Sequence, residues 1–258
     1  TANVMKENDD FIVGSKTAHY KGPEWISTDS ALRAGQLANM PAMIDFGFFP
    51  SERPYHELVT ERMAKHDIST HMFLGDVPWL DSEGRVLEYL FKARERGIIF
   101  DVGHGGGSFY WRNAVPAIEQ GFYPDSISTD LHTKNMNEDM FDMVTVMSKF
   151  LIMGMPLYEI IRASTINPAT EIGHKELGHL SIGALADIAG LKISDGDFGY
   201  TDVASGLLRG NQRITCELTL KDGIVMWDWN GRIGVDYKTL EADYGVRNPH
   251  GLILPPTN

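Results

Sequence analysis

Ser126-Ile127-Ser128-Thr129-Asp130-Leu131-His132 is apolar and β-branched over a strand's length and closes on a carboxylate and an imidazole. Four upstream runs have the same form: Phe11 to Lys16, Ala42 to Asp45, Ile68 to His71 and Ile98 to His104. Between the runs lie segments with helical spacing, among them Tyr55 to His66, Val86 to Arg96 and Arg112 to Gln120. Strands alternating with helices at a spacing of about 30 residues predict βαβ units, hence a parallel sheet with right-handed crossovers. Ligands in such folds sit at the C-terminal ends of the strands. Lys16, Asp45, His71, His104, Asp130 and His132 fall there.

Downstream of this stretch the texture changes. Phe141 to Met153 and Leu157 to Ser164 have helical spacing, with Pro156 suited to a first turn, and Asn167-Pro168 opens a further helical stretch that Gly173 stops. From Leu177 onward, Ala186 to Ile193, Arg213 to Leu220 and Ile224 to Trp229 predict antiparallel strands, with Lys221-Asp222-Gly223 as a hairpin turn. The change of pattern predicts a boundary near 173 to 180, dividing the chain into 1–175 and 176–258. At the other end, Thr1-Ala2-Asn3-Val4-Met5 leads almost directly into the first strand-like run without an initiator methionine. An upstream portion of the fold is expected.

Composition narrows the classes. At 258 residues and 43% hydrophobic, the chain can bury a sizeable core. A net charge of -12 repels phosphate backbones and anionic lipid heads, so neither nucleic acid nor a membrane surface is an expected partner. Every apolar run falls short of the roughly 20 residues a spanning helix requires. Cys216 is the only cysteine, which excludes an internal disulfide and a cysteine metal cluster. A reducing, cytoplasmic setting is favoured, with the natural N-terminus left open.

Taken singly, each strand-end histidine is more often a satisfied core residue than a ligand. Gathered at one rim, an ammonium, carboxylates and imidazoles have the chemistry of a divalent-metal site. Asp130 can ligate a metal and take a proton from water, or simply cap a helix. Gly103-His104-Gly105-Gly106-Gly107-Ser108 allows close approach to a ligand or forms a tight turn; it lacks the lysine of a phosphate loop. The nucleophile elbow Gly-x-Ser-x-Gly is absent. Trp227, Trp229 and Tyr237 are expected in the core or at an interface of the antiparallel segment.

Three stretches, Phe100-Asp101-Val102-Gly103-His104-Gly105, Pro124 through His132 and Arg162-Ala163-Ser164-Thr165-Ile166-Asn167-Pro168-Ala169, resemble the deacetylase branch of the dihydroorotase-like amidohydrolases, as does Leu180 through Ile188. The resemblance implies the later strands of a (β/α)8 TIM-barrel metallohydrolase over 1–175, then part of a small β-sandwich with a C-terminal tail over 176–258. It implies one or two divalent ions, zinc or else manganese, and a metal-bound hydroxide attacking the amide or ester carbonyl of a small acylated molecule. By position, Lys16, Asp45, His71 and Asp130 would ligate metal, Lys16 as a carboxylated lysine. Asp130 would also be the catalytic proton shuttle, and His104, His132 and Gly105 would meet substrate. Asp45 stands where such proteins have a fifth-strand histidine, and their first-strand His-x-His is absent from these 258 residues. A homo-oligomer, or association with the remaining barrel portion, is the expected assembly. Ligand or partner binding without catalysis is the alternative reading.

Overall fold

The computed structural model describes residues 1–47, 50–137 and 140–245. Four strands, β1 (Ser15–Thr17), β2 (Ala42–Asp45), β3 (Ile68–Thr70) and β4 (Ile99–Phe100), form a sheet in sequential order. All three pairings are parallel, with Lys16 opposite Met43, Asp45 opposite Thr70 and Ser69 opposite Phe100. Helices α1 (Ala2–Glu7), α2 (Ile26–Ala38), α3 (Tyr55–Glu57), α4 (Glu88–Glu95) and α5 (Trp111–Glu119) flank or connect these strands. Then follow α6 (Met143–Ile152), α7 (Leu157–Ser164) and α8 (Ile166–Glu171), and three strands in the order β5 (Ile188–Thr201), β6 (Leu207–Lys221), β7 (Ile224–Asp228).

The sheet is held by burial on its faces and by carboxylates that hold its backbone. Ala42 and Ile44 are fully buried. Asp67 accepts from Ala42 N at 2.9 Å and Ala64 N at 2.8 Å, tying the start of β2 to the turn before β3. An aromatic cluster fills the core beside β4, where Trp79 lies 5.4 to 5.7 Å from Phe73, Phe100 and Phe122. Each buried aromatic contributes about 2 to 3 kcal/mol of transfer free energy, and edge-on pairing adds about 1 kcal/mol per pair.

Local geometry departs from the sequence expectation in several places. The run 126–132 forms no named strand: Ser126 bridges Asp101 in parallel fashion, and Val102, His104 and Gly105 donate backbone bonds to Ser126, Ser128 and Thr129. Asp130, at φ +48, then turns the chain out of extended geometry. Ahead of the first strand-like run, Ala2–Glu7 forms a helix, α1, with Met5 as its buried anchor, and of the run Phe11 to Lys16 only its end enters β1. Trp227, Trp229 and Tyr237 are 49%, 66% and 63% exposed, so they form no core. The helix expected over 55–66 is shorter and becomes a π-helical turn at Leu58–Arg62.

The chain divides into two compact units, Thr1–Leu185 with Lys192–Thr215, and Ala186–Leu191 with Cys216–Asn258. In the second unit β6 pairs antiparallel with β7, Lys221 opposite Ile224. Asp222 and Gly223 between them have φ +52 and +79, the left-handed pair that a two-residue hairpin demands. The end of the expected tail, 246–258, lies outside the described residues. No helix among the described residues is long and apolar enough to cross a membrane.

Candidate functional site

Parallel pairing brings the C-terminal strand ends to one rim. Asp45 is the last residue of β2, and His71 follows β3 directly. Their side chains meet: His71 Nε2 lies 3.4 Å from Asp45 Oδ2, and both are nearly buried. His71 has φ +61, a left-handed turn that takes the chain away from β3. Its Nδ1 is 2.6 Å from the Gly103 carbonyl, which can only accept, so the Nδ1 proton is committed there. Nε2 is left to hold a proton against Asp45 or, when neutral, to bind a cation.

The electrostatics match this contact. Burial pushes the Asp45 carboxyl upward, but His71, then His19 and Lys16, more than offset it and hold it below the usual range. Burial works against a charged His71, while Asp45, the Gly103 carbonyl and Asp130 together raise its pKa. Lys16 on β1 is exposed.

Gly103 and Gly105 have positive φ, +47 and +53. A Cβ at Gly103 would lie 2.6 Å from His71 Nδ1, and one at Gly105 would lie 2.8 Å from Asp130 Oδ2. Glycine at 105 therefore makes room for the Asp130 carboxylate. Asp130 is exposed at the rim. Its left-handed backbone is held by buried Asn135, whose Nδ2 donates to Asp130 O at 3.0 Å while its Oδ1 accepts from His132 N at 2.8 Å. His132 is exposed, with its Nδ1 accepting from Lys134 N at 3.2 Å.

His104 occupies a different setting from the one its motif suggests. It is fully buried, stacked on Phe109 at 4.5 Å, and both ring nitrogens are engaged. Lys149 Nζ on α6 lies 2.8 Å from Nε2 and also donates to Thr201 O at 2.6 Å. An ammonium has no lone pair, so Nε2 accepts and Nδ1 carries the proton, facing Gly105 O at 2.8 Å. Burial, then the Lys149 charge, drives the His104 pKa down to about 3. In this arrangement the ring orients the Gly105 turn beneath Asp130.

Three residues outside the sequence reading take part. Asp101 is buried and accepts from Thr70 Oγ1 at 2.6 Å, Ser128 Oγ at 2.8 Å and Ser126 Oγ at 3.1 Å, joining the ends of β3 and β4 to the Asp130 segment. Asn135 is the second. The third is His19, whose Nε2 lies 3.3 Å from Asp45 Oδ2. Asp101 was signalled by its place at a strand end and Asn135 by its spacing from His132, whereas His19, in the loop beyond β1, carried no signal.

A parallel sheet carrying carboxylates, an imidazole and an ammonium at its C-terminal rim has them where α/β folds place their ligand sites. Residues 110–225 match the Amidohydrolase family, and the chain carries a domain of that family. It is 35% identical over 215 residues to a deacetylase of Brucella anthropi, covering 80% of this chain and 52% of that protein. It is 30% identical over 214 residues to a deacetylase of Enterococcus faecalis, covering 80% of this chain and 57% of that one. The chain thus spans about half the length of these relatives. Among solved structures, an adenine deaminase superposes with TM-score 0.81 at 28% identity, covering 88% of this chain and 63% of that one. A dihydroorotase superposes with TM-score 0.77 at 29% identity, covering 88% and 61%. The fold is that of the TIM-barrel amidohydrolases.

Whether the rim fits a divalent ion is a matter of donor chemistry. Among the described residues, no three His, Cys, Asp or Glu side chains already stand as a ligand group. The Asp45–His71 pair does suit one: a carboxylate oxygen and an imidazole nitrogen whose other nitrogen is anchored on a carbonyl, the usual support of a ligating histidine.

Proposed function

We propose that this chain carries the metal-binding and proton-transfer residues of a hydrolase acting on an amide or ester bond of a small acylated molecule, of the deacetylase or cyclic amidohydrolase type. The observation that carries this reading is the rim itself: Asp45 and His71 in contact, with Asp130 admitted over Gly105. The deacetylase names of the relatives and the deaminase and dihydroorotase neighbours support the same chemistry.

Lys16, Asp45, His71 and Asp130 are the residues that would hold one or two divalent ions, zinc or manganese, with Lys16 carboxylated in a two-ion centre. Such an ion supplies Lewis acidity, polarising a carbonyl and acidifying water. Asp130 accepts the proton of the attacking water and returns it to the leaving nitrogen or oxygen. Gly105 clears the space that this carboxylate occupies, Asn135 fixes its backbone, and His104 holds the turn below. His132, exposed two residues beyond Asp130, is placed to meet substrate.

Replacing Asp130 with asparagine keeps the shape and removes the base. With zinc or manganese present, turnover of small N-acyl compounds is expected to fall about a hundredfold or more. Unchanged turnover in Asp130→Asn contradicts the role.

A further inference from the structure

Lys149 on α6 is fully buried, and a buried ammonium is costly unless polar partners take its protons. Two such partners are fixed in place. His104 Nε2 lies 2.8 Å from Nζ, and Thr201 O accepts at 2.6 Å. Thr201 ends β5, and the turn after it is tied to the loop that carries His104: Asp202 Oδ2 accepts from Trp111 N at 3.1 Å, and Val203 N donates to Phe109 O at 3.2 Å. The Phe109 and Trp111 rings stand 5.3 and 5.6 Å from Nζ, and Phe109 also stacks on His104. The ammonium is thereby aimed at one nitrogen of the His104 ring.

A neutral imidazole carries its proton on one nitrogen or the other, and the bond made by one sets the state of its partner. A cation donating to Nε2 leaves the proton on Nδ1, which then donates to Gly105 O at 2.8 Å. Gly105 in turn donates from its own N to Thr129 O at 2.9 Å, and a Cβ at Gly105 would lie 2.8 Å from Asp130 Oδ2. Hydrogen bonds thus lead from α6 through the ring to the residue before Asp130. The charge on Lys149 acts a second time, since with burial it opposes a second proton on the ring and holds the His104 pKa down to about 3.

We infer that Lys149 is a positioning residue: by donating to His104 Nε2 it selects the Nδ1–H tautomer, and through the Gly105 turn that ring holds the Asp130 carboxylate in place. The inference rests on the hydrolase reading above for what Asp130 does, and adds to it a residue buried behind the rim.

The competing account makes Lys149 a tie between α6 and the end of β5 and nothing more. Lys149→Met keeps the apolar stem and removes the charge and the donor. Nitrogen-15 NMR of histidine-labelled protein reads the ring state, with the His104 resonances assigned by their loss in His104→Asn. The parent is expected to show Nδ1 protonated and Nε2 bare between about pH 5 and about pH 8, and Lys149→Met to gain a proton at Nε2. With zinc or manganese added, turnover of a panel of N-acetyl amino acids and cyclic amides is expected to fall about tenfold in kcat, with KM within about threefold. A folded Lys149→Met that keeps the parental tautomer, or keeps kcat within about twofold, overturns the inference. Where circular dichroism shows the variant unfolded, the parent spectrum decides: a proton on Nε2 at neutral pH overturns the inference, and a bare Nε2 beside a protonated Nδ1 supports it. A parent without turnover overturns the hydrolase reading instead, while the tautomer comparison still decides whether Lys149 sets the ring.

Discussion

His104 shows what a single side chain does when its motif and its environment disagree. A histidine in a glycine-rich turn after a strand invites a substrate-binding reading, and the residue types alone allow it. Burial decides otherwise: a ring stacked on Phe109, accepting from Lys149 and facing the Gly105 carbonyl, is structural support for the turn that seats Asp130. Truncation leaves a cavity beside Phe109 and takes an acceptor from Lys149. His104→Ala is therefore expected to cost about 3 kcal/mol of stability, read as a lowered denaturant midpoint. An unchanged midpoint contradicts this packing. Asp45, His71 and Asp130 were legible in sequence because each ends a β-branched run. His19 was not, because it lies beyond its strand in a loop with no periodic pattern, and only the fold brings it to Asp45.

Elements formed where the pattern was strongly periodic, as in α4, α5 and α7, and departed from it where local geometry intervened. The 126–132 run is extended by composition, yet Asp130 breaks it at φ +48, so its pairing is reduced to a bridge and a few backbone bonds. Strand β5 continues through Ser194-Asp195-Gly196-Asp197 to Thr201, and so extends well past Ile193, where the expected strand ended. Helix α8 ends on Glu171, which lies against Ser126 near Asp101 and Asp125. Burial, with those two charges adding to it and the Ser126 hydrogen bond opposing it, pushes the Glu171 pKa up to about 8. The folded state thus keeps a proton that the unfolded chain has released above the ordinary carboxylate range. Stability attributable to this group falls as pH rises from that range through about 8. Glu171→Gln, neutral at every pH, is expected to gain stability over the parent at about pH 8.5 relative to about pH 5 in paired denaturant titrations. A pH-independent difference between the two proteins contradicts the buried acid.

For the molecule as a whole, the parallel sheet in sequential order follows from repeated βαβ units, and this much of the fold was visible in the alternation of runs and helical segments. The strand ends then converge without further information, since parallel strands share a C-terminal rim. The partition into units was less legible, because β5 and β6 each contribute residues to both. The central claim is that this rim is a divalent-metal centre. Its most direct test is elemental analysis of the protein after exhaustive dialysis, with His71→Ala as the comparison. About one to two zinc or manganese ions per chain are expected in the parent, with most of that metal lost in the variant. A parent that retains none, or a variant that retains as much as the parent, contradicts the claim.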